Sequence, residues 1–326
     1  MGGMDARART RRSKSGRGAL CCALALAASC NALRSDETER EPEAISLLGR
    51  PLYAPELGPE RRARLEADLA WALARRAAEP EGEETTIWVG RRLGYLGRYR
   101  EAIDVFSGGL SRHPRSAGLL RHRGHRYITV RELDAAVRDL SLAAELMRGL
   151  PDEVEADGAP NALGIPTGTT HGNIWYHLGL ARYLQGDFER ALDAWRECLE
   201  TSTNDDMLCA TSYWQYLTLR QLDQPARARA ALLPIHAHMN VIENFAYRRL
   251  LLFYKGELYE SELLEGVEAG TVDWPTTMYG LGAWHLLEGR SERARDIFRK
   301  IVAGDVWAAF GHVAAEAALA RMKRAS

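Results

Sequence analysis

The sequence lacks the short motifs that mark the common catalytic sites. It contains no Gly-x-Ser-x-Gly, no His-Glu-x-x-His and no Gly-x-x-x-x-Gly-Lys-Ser/Thr, and so it offers no nucleophile elbow, zinc-protease helix or phosphate-binding loop. It also lacks Cys-x-x-Cys, which argues against a zinc ribbon or a thioredoxin-type redox site. We therefore predict no catalysis, no cofactor and no metal site.

The chain has little net charge. Its formal net charge is −1, and without the first 30 residues it carries 37 basic and 43 acidic side chains. General binding to nucleic acid needs an excess of Lys and Arg to neutralise phosphates. The mildly acidic body argues against that class of partner.

Cysteine is scarce, with five residues in the whole chain. Cys21, Cys22 and Cys30 lie close to the N-terminus, which leaves Cys198 and Cys209 in the body. These two could pair in an oxidising compartment, but a helix–turn–helix does not guarantee the required Cα separation. We favour two buried free thiols that pack as small apolar residues.

The first 30 residues combine a basic segment with a short apolar one. Residues 7–17 carry six basic side chains, and residues 19–29 read ALCCALALAAS, the order of an export signal. The apolar run is shorter than the roughly 20 residues that span a bilayer. Ala27-Ala28-Ser29-Cys30 resembles a bacterial lipobox, with Cys30 as the lipid-modified residue. We expect an exported protein, periplasmic or anchored to a membrane; a basic tail on a cytoplasmic protein is the alternative.

The body begins after a predicted tether. Residues 31–58 are polar with scattered prolines, and residues 60–78 predict a helix whose apolar side carries Leu65, Leu69, Trp71 and Leu73. A terminal helix of a repeat array covers the exposed face of its neighbour, so we interpret this helix as a cap. The predicted domains are a signal peptide at 1–30, a linker at 31–58 and a helical body at 59–326.

Residues 173–199, NIWYHLGLARYLQGDFERALDAWRECL, predict two amphipathic helices joined by a tight turn. Trp175, Leu178 and Ala181 share one face of the first helix because they recur at three- and four-residue spacing. Gly186 can take the left-handed conformation that ends a helix. The order of Trp, Leu-Gly, turn Gly, aromatic, Ala and second aromatic resembles a tetratricopeptide repeat.

The same frame recurs along the chain. Gly90 and Gly124 are 34 residues apart, as are Ala102 and Ala136, and this is the period of the repeat. The resemblance covers about 83–323 and is stronger in repeats one, two, three and six than in repeats four and five. It implies an all-α fold: a right-handed α-solenoid of about six helix-turn-helix repeats with N- and C-terminal capping helices.

An insertion interrupts the period between the second and third repeats. Gly124 and Gly179 are 55 residues apart, and the extra residues lie in 151–172, whose prolines and glycines are incompatible with a regular helix. A structureless loop of this length in a compact array is often functional. It is either a disordered excursion or a segment that folds over the concave face and helps to form a binding site.

In this family the first helix of each pair lines a concave groove that binds peptides or proteins. Arg and Tyr are enriched at binding hot spots, and Arg can pair bidentately with a carboxylate. We therefore predict a non-catalytic protein–protein interaction scaffold, with an acidic partner segment near the arginines. The expected groove residues are Arg91, Tyr95, Arg121, His125, Asn173, Tyr176, Tyr183, Tyr213, Arg220, Phe253, Tyr254 and Tyr279.

Binding of chaperone tails is not predicted, whereas a ligand or catalytic site under the insertion stays open. The family's carboxylate clamp for chaperone tails is not reproduced, because Ile87 and Arg91 stand where Lys and Asn are expected. An enzyme, or a metal- or small-molecule-binding protein, could use a site under the insertion with His171, His177 or His125. The pairs His122/His125 and His236/His238 have no nearby carboxylate in sequence, so we interpret them as solvated or packing residues.

Overall fold

Helical hairpins dominate residues 41–325, the part of the chain described by this computed structural model. The described residues form fourteen helices and one short β-hairpin. The strands are β1 (Ala44–Ile45) and β2 (Pro51–Leu52), which are antiparallel. The helices are α1 (Pro59–Ala78), α2 (Glu83–Tyr95), α3 (Tyr99–Arg112), α4 (Ala117–Thr129), α5 (Leu133–Met147), α6 (Thr170–Gln185), α7 (Phe188–Glu200), α8 (Asp205–Gln221), α9 (Pro225–Ala231), α10 (Phe245–Lys255), α11 (Glu260–Leu264), α12 (Asp273–Leu287), α13 (Ser291–Val302) and α14 (Phe310–Ala325).

Each of the six helix pairs from α2/α3 to α12/α13 turns at a residue with positive φ. The φ angles at these turns lie between 52° and 85°. Glycine is favoured there because it has no Cβ to clash with the backbone. The turn residues are Gly97, Arg131, Gly186, Asp223, Gly256 and Gly289. Their positions follow the sequence frame, so the predicted α-solenoid of six helix pairs is confirmed.

Within four of the pairs, a buried glycine lies against a large side chain 16 residues later. A Cβ on Gly179 would lie 2.6 Å from the Trp195 ring, and one on Gly90 would lie 2.3 Å from the Phe106 ring. Gly124 meets Leu140 and Gly282 meets Phe298 in the same way. The missing Cβ lets the two helices of a pair approach closely, which is what the sequence pattern predicts.

The inner faces of the second half of the array meet one another. The hydroxyl groups of Tyr183 on α6 and Tyr279 on α12 are 2.8 Å apart, which joins the third repeat directly to the sixth. The Tyr176 hydroxyl lies 3.1 Å from that of Tyr247 on α10 and accepts a hydrogen bond from Trp214 on α8. Packed tyrosines therefore fill the region in which the sequence predicts an open groove.

The C-terminal helix α14 also reaches back across the array. It packs on α12 and α13, as a cap should, but it contacts α6 as well. Glu316 on α14 forms a buried, two-pronged ion pair with Arg131, with Nη2–Oε1 and Nε–Oε2 distances of 2.6 and 3.1 Å. Arg131 takes its strained turn conformation (φ 69°) where this side chain reaches α14. The predicted cap thus links the sixth helix pair to the turn of the second.

Residues 42–58 do not form the predicted free tether. Ala44 and Leu52 of the β-hairpin are buried in a cluster with Tyr99 and Trp307. The backbone N–H of Leu47 donates to Glu316 Oε2 at 3.0 Å. Apolar side chains of the hairpin gain burial against the first two repeats and against Trp307, which precedes α14, so the segment is part of the helical body.

The capping helix α1 buries only part of its expected face. Leu69 and Ala72 are buried, whereas Trp71 is 55% exposed and Leu73 is 47% exposed. The Arg75 guanidinium lies 5.1 Å from the centroid of the Trp71 ring on the outer side. The predictions for Trp71 and Leu73 are wrong because the buried stripe runs through Leu65, Leu69 and Ala72.

Between residues 41 and 325, none of the helices combines the length and the apolar character needed to cross a membrane. The predicted signal peptide at 1–30, with its lipidation site Cys30, lies outside the described residues.

Candidate functional site

The insertion has a defined course over the first half of the array. Val154 and Thr169 form an antiparallel bridge at its base. Two further backbone hydrogen bonds join its ends, from Glu155 N to Gly168 O at 3.0 Å and from Thr170 N to Glu153 O at 2.8 Å. The segment between them contains no helix. This arrangement is a closed loop, which we call the roof loop (residues 153–169).

Two arginines of α2 hold the roof loop by its backbone. Arg91 Nη2 donates to the carbonyl of Ala156 at 2.8 Å, and Arg92 Nη1 donates to that of Gly158 at 2.9 Å. A Cβ on Gly158 would lie 2.0 Å from the Tyr95 hydroxyl. Gly158 therefore lets the loop backbone come within contact distance of α2.

A buried carboxylate fixes the loop to α4 and α6. Glu155 Oε1 lies 2.9 Å from Arg121 Nη2, with the two side chains 15% and 9% exposed. Its second oxygen accepts a hydrogen bond from Asn173 Nδ2 at 3.1 Å. The carboxylate of the insertion thus occupies the position that the sequence assigns to an acidic partner segment.

The far side of the roof loop meets the fourth and fifth repeats. Glu243, in the segment before α10, accepts hydrogen bonds from Thr167 and from Asn161 Nδ2, the latter at 2.9 Å. Asn204, which caps α8, donates to the carbonyl of Thr167 at 2.7 Å. The loop therefore bridges α2, α4, α6, α8 and the start of α10.

A cavity of about 350 Å³ lies beneath the roof loop. Its floor comes from α4 and α6, and Phe310 of α14 contributes at one side. Six of the twelve predicted groove residues meet here: Arg91, Tyr95, Arg121, His125, Asn173 and Tyr176. Residues that sequence reasoning missed include His122, Arg126, Glu155, Asp157, Glu243, Tyr247 and Phe310. For the first two a signal existed, since they lie next to Arg121 and His125 on the same helix.

Charges of both signs line the cavity. Arg121 and Arg126 lie on α4, whereas Asp157 is in the roof loop and Glu243 precedes α10. Burial lowers the pKa of Arg121 and of Arg126. Burial, with the charge of Glu243 next, raises the pKa of Asp157. The cavity's arginines are therefore on α2 and α4, and its carboxylates without an ion pair among the described residues are in the roof loop and before α10.

Three neutral histidines line the cavity next to these arginines. Burial first, and the nearby arginines next, lower the pKa of His122 and of His125 well below the usual value. Burial and Arg121 do the same to the pKa of His177. The His125 and His177 rings are in contact, with centroids 4.3 Å apart and planes tilted by 36°. These rings are uncharged at neutral pH, so the positive charge of the cavity comes from the arginines.

The remaining predicted groove residues are elsewhere. Tyr183, Tyr213 and Tyr279 are at most 1% exposed, so they have almost no surface to offer a ligand, because the inner faces close on one another. Phe253 packs edge-on against Trp284. Tyr254 donates to the carbonyl of Gly280 and Arg220 pairs with Glu288, at 2.9 and 2.8 Å. The structure does not bring this second group to the cavity.

Metal ligation finds no support in the described region. Across residues 41–325, no three His, Cys, Asp or Glu side chains converge in a way that could hold a metal ion. His125 and His177 line the cavity, whereas His171 does not. His236 and His238 are exposed.

Comparison with known proteins identifies one of the repeats directly. Residues 172–205 match the family model of the tetratricopeptide repeat, which confirms the repeat predicted around 173–199. Among curated proteins, none matches the chain.

Several solved structures are similar in fold. They include YrrB, a TPR protein described as having an unusual peptide-binding site (14% identity, 68% of this chain, 95% of that chain, TM-score 0.40). A tetratricopeptide repeat protein from Parabacteroides merdae matches at 15% identity over 78% of this chain and 93% of that one, with a TM-score of 0.44. A chain in the structure of Naa15/Naa10 bound to HypK-THB matches at 13% identity over 74% of this chain and 34% of that one, with a TM-score of 0.35.

Proposed function

We propose that this protein is a non-catalytic scaffold that binds a peptide or a partner protein over the roof loop and the first helix pairs. The fold supports this role, because stacked helix pairs form an extended surface on which a partner can bind. The observation that carries the proposal is the convergence of six predicted groove residues on one site, as described above.

Arg91 is the residue best placed to meet a partner. It forms no ion pair among the described residues, and its guanidinium lies 4.4 Å from the centroid of the Trp88 ring. Both side chains are partly exposed. Trp and Arg dominate binding hot spots. An acidic segment of a partner would pair with Arg91, whereas the charge of Arg121 is already neutralised by Glu155.

A crosslinking pull-down from the native host, followed by direct binding measurements with the captured partner, tests this proposal. Arg91→Glu should weaken binding while leaving the circular dichroism spectrum helical. Arg190→Glu is a matched control, because Arg190 is 70% exposed on α7 away from the cavity. If both variants bind the partner equally well, Arg91 is not part of the interaction surface.

We also propose that the protein is exported and that Cys30 carries a lipid. The support is the basic segment at 7–17, the apolar segment at 19–29 and the lipobox-like sequence that ends at Cys30. Mass spectrometry of the native N-terminus tests this: a chain that begins at diacylated Cys30 agrees with the proposal, and an intact Met1 contradicts it.

A further inference from the structure

The α4 side of the cavity holds a cation without a counter-charge. Arg126 forms no ion pair with any residue in the described part of the chain. Its guanidinium donates to His125 Nε2 at 2.6 Å and lies 5.4 Å from the centroid of the Tyr99 ring. A largely buried cation is costly unless it is paired. This side of the cavity is therefore suited to receive an anion.

Arg121 adds a donor that the protein does not use. Its side chain is 9% exposed, and Nη1 and Nη2 are engaged by His122 and Glu155. Its buried Nε–H has no hydrogen-bond partner in the structure. An unused donor within a cavity costs free energy until an acceptor reaches it. Arg121 and Arg126 are five residues apart on α4, and both line the same cavity.

The roof-loop side of the cavity carries hydrogen-bond acceptors. Asp157 Oδ2 is buried and also has no hydrogen-bond partner among the described residues. Glu243, which lines the cavity as well, contributes a second carboxylate on this side. Two carboxylates that face one cavity favour a cation or a strong donor between them. The donors on α4 would therefore bind an anionic group of a ligand, and the carboxylates at the roof would bind a cationic group of the same ligand.

We propose that the cavity binds a small zwitterion of amino-acid size, with its carboxylate at Arg121 and Arg126 and its ammonium group at Asp157 and Glu243. The volume of about 350 Å³ is at the lower end of the range for small-molecule sites. Tyr176, His177 and Phe310 supply ring surfaces for the body of the ligand. This proposal does not rest on partner binding, so an experiment that contradicts one of the two proposals leaves the other unaffected.

Thermal unfolding of the full-length protein with each of the free L-amino acids tests the proposal. Binding to the native state raises the melting temperature in a saturable manner, and at least one amino acid should do so. For that amino acid, the amide that lacks the carboxylate and the N-acetyl form that lacks the ammonium group should both fail. If no free amino acid raises the melting temperature, or if either blocked form is as effective as the free one, the proposal is overturned.

Variants locate the site. By calorimetric titration with the same amino acid, Arg126→Gln and Asp157→Asn should each weaken binding by about 10- to 100-fold, the loss expected for a hydrogen bond to a charged group. Arg190→Gln, on the outer face of α7, should leave binding unchanged. Without ligand, Arg126→Gln should keep or raise the melting temperature, because it removes an unpaired buried charge. Undiminished binding by Arg126→Gln would contradict the assignment.

Discussion

Glu155 and Arg121 form a buried ion pair, with Oε1 and Nη2 2.9 Å apart, that joins the roof loop to α4. The loop thereby supplies its own carboxylate to an arginine that the sequence pattern assigns to a partner. The pair also determines what else can bind, because Arg91 and Arg126 are then the cavity-lining arginines that form no ion pair with a described residue.

Glu155→Gln should loosen the roof loop. The substitution leaves Arg121 buried without a counter-charge, and we expect the free energy of unfolding to fall by up to about 3 kcal/mol, since removing one partner of a buried pair is strongly destabilising. Urea unfolding measures the loss, and limited proteolysis should show faster cleavage within residues 153–169.

Glu153→Gln is the control for that variant, because Glu153 lies in the same loop with an exposed side chain. It should change neither stability nor cleavage. If Glu155→Gln is cleaved no faster than Glu153→Gln, the ion pair does not hold the loop in place.

The sequence was sufficient to predict the helix pairs, but only six of the twelve predicted groove residues line the cavity. Gly90, Gly124 and Gly179 mark the repeats because close packing within a pair depends on residues a fixed distance apart. Tyr183 and Tyr279 look like groove residues by the same frame, yet they are 96 residues apart and bond to each other. A contact between residues so far apart depends on the curvature of the whole array, which the spacing of residues within one repeat does not determine.

The position of the roof loop could not be predicted from residue spacing either. Its prolines and glycines correctly predict the lack of a helix, but the contacts that place it come from Arg91, Asn173 and Glu243 on three other segments. Hydrogen bonds between segments so far apart leave no periodic trace in the sequence. The sequence marks the insertion as a candidate cover for a binding site, whereas the contacts that hold it over the cavity could not be predicted.

Gly179→Ala should destabilise the third repeat. The new Cβ would lie 2.6–2.7 Å from the Trp195 ring, which has no exposed surface and little room to move. Overpacking of this kind costs about 1–3 kcal/mol, more than the gain of up to about 1 kcal/mol from replacing glycine by alanine in a helix. Urea unfolding should therefore show a net loss of stability.

Gly108→Ala separates packing from helix propensity. Gly108 is within α3, and a Cβ there would meet nothing within 4 Å. This variant should gain about 0.5–1 kcal/mol. If both variants shift stability in the same direction, the close approach at Gly179 is not what requires glycine.

Cys198 and Cys209 should be inert in the native protein. Both are free thiols with no exposed surface. Burial raises the pKa of each to about 12, and the thiolate is the reactive form. In a variant with Cys21, Cys22 and Cys30 replaced by serine, a disulfide-exchange dye at neutral pH should label neither thiol until the protein unfolds. Fast labelling of the native variant would show that these helices open readily.

Glu316 should make the link between α14 and the turn of the second helix pair sensitive to acid. Burial by itself would raise the pKa of Glu316, but the neighbouring His312 and the hydrogen bonds and charge of Arg131 outweigh it and lower the pKa from 4.5 to about 2. Because the folded-state pKa is the lower one, the stabilisation is complete above about pH 4.5 and is lost as the pH falls towards 2. The expected loss is about 3 kcal/mol.

Urea unfolding between neutral pH and the acid range tests this. Glu316→Gln should be less stable at neutral pH, because Arg131 loses its counter-charge, and its stability should depend less on pH below about 4.5. Glu292→Gln is the control, because Glu292 is 79% exposed on α13 and its ion pair among the described residues is with Arg295 of the same helix. It should retain the acid dependence of the parent protein. If Glu316→Gln and Glu292→Gln lose stability in parallel on acidification, other carboxylates cause the acid sensitivity and Glu316 does not.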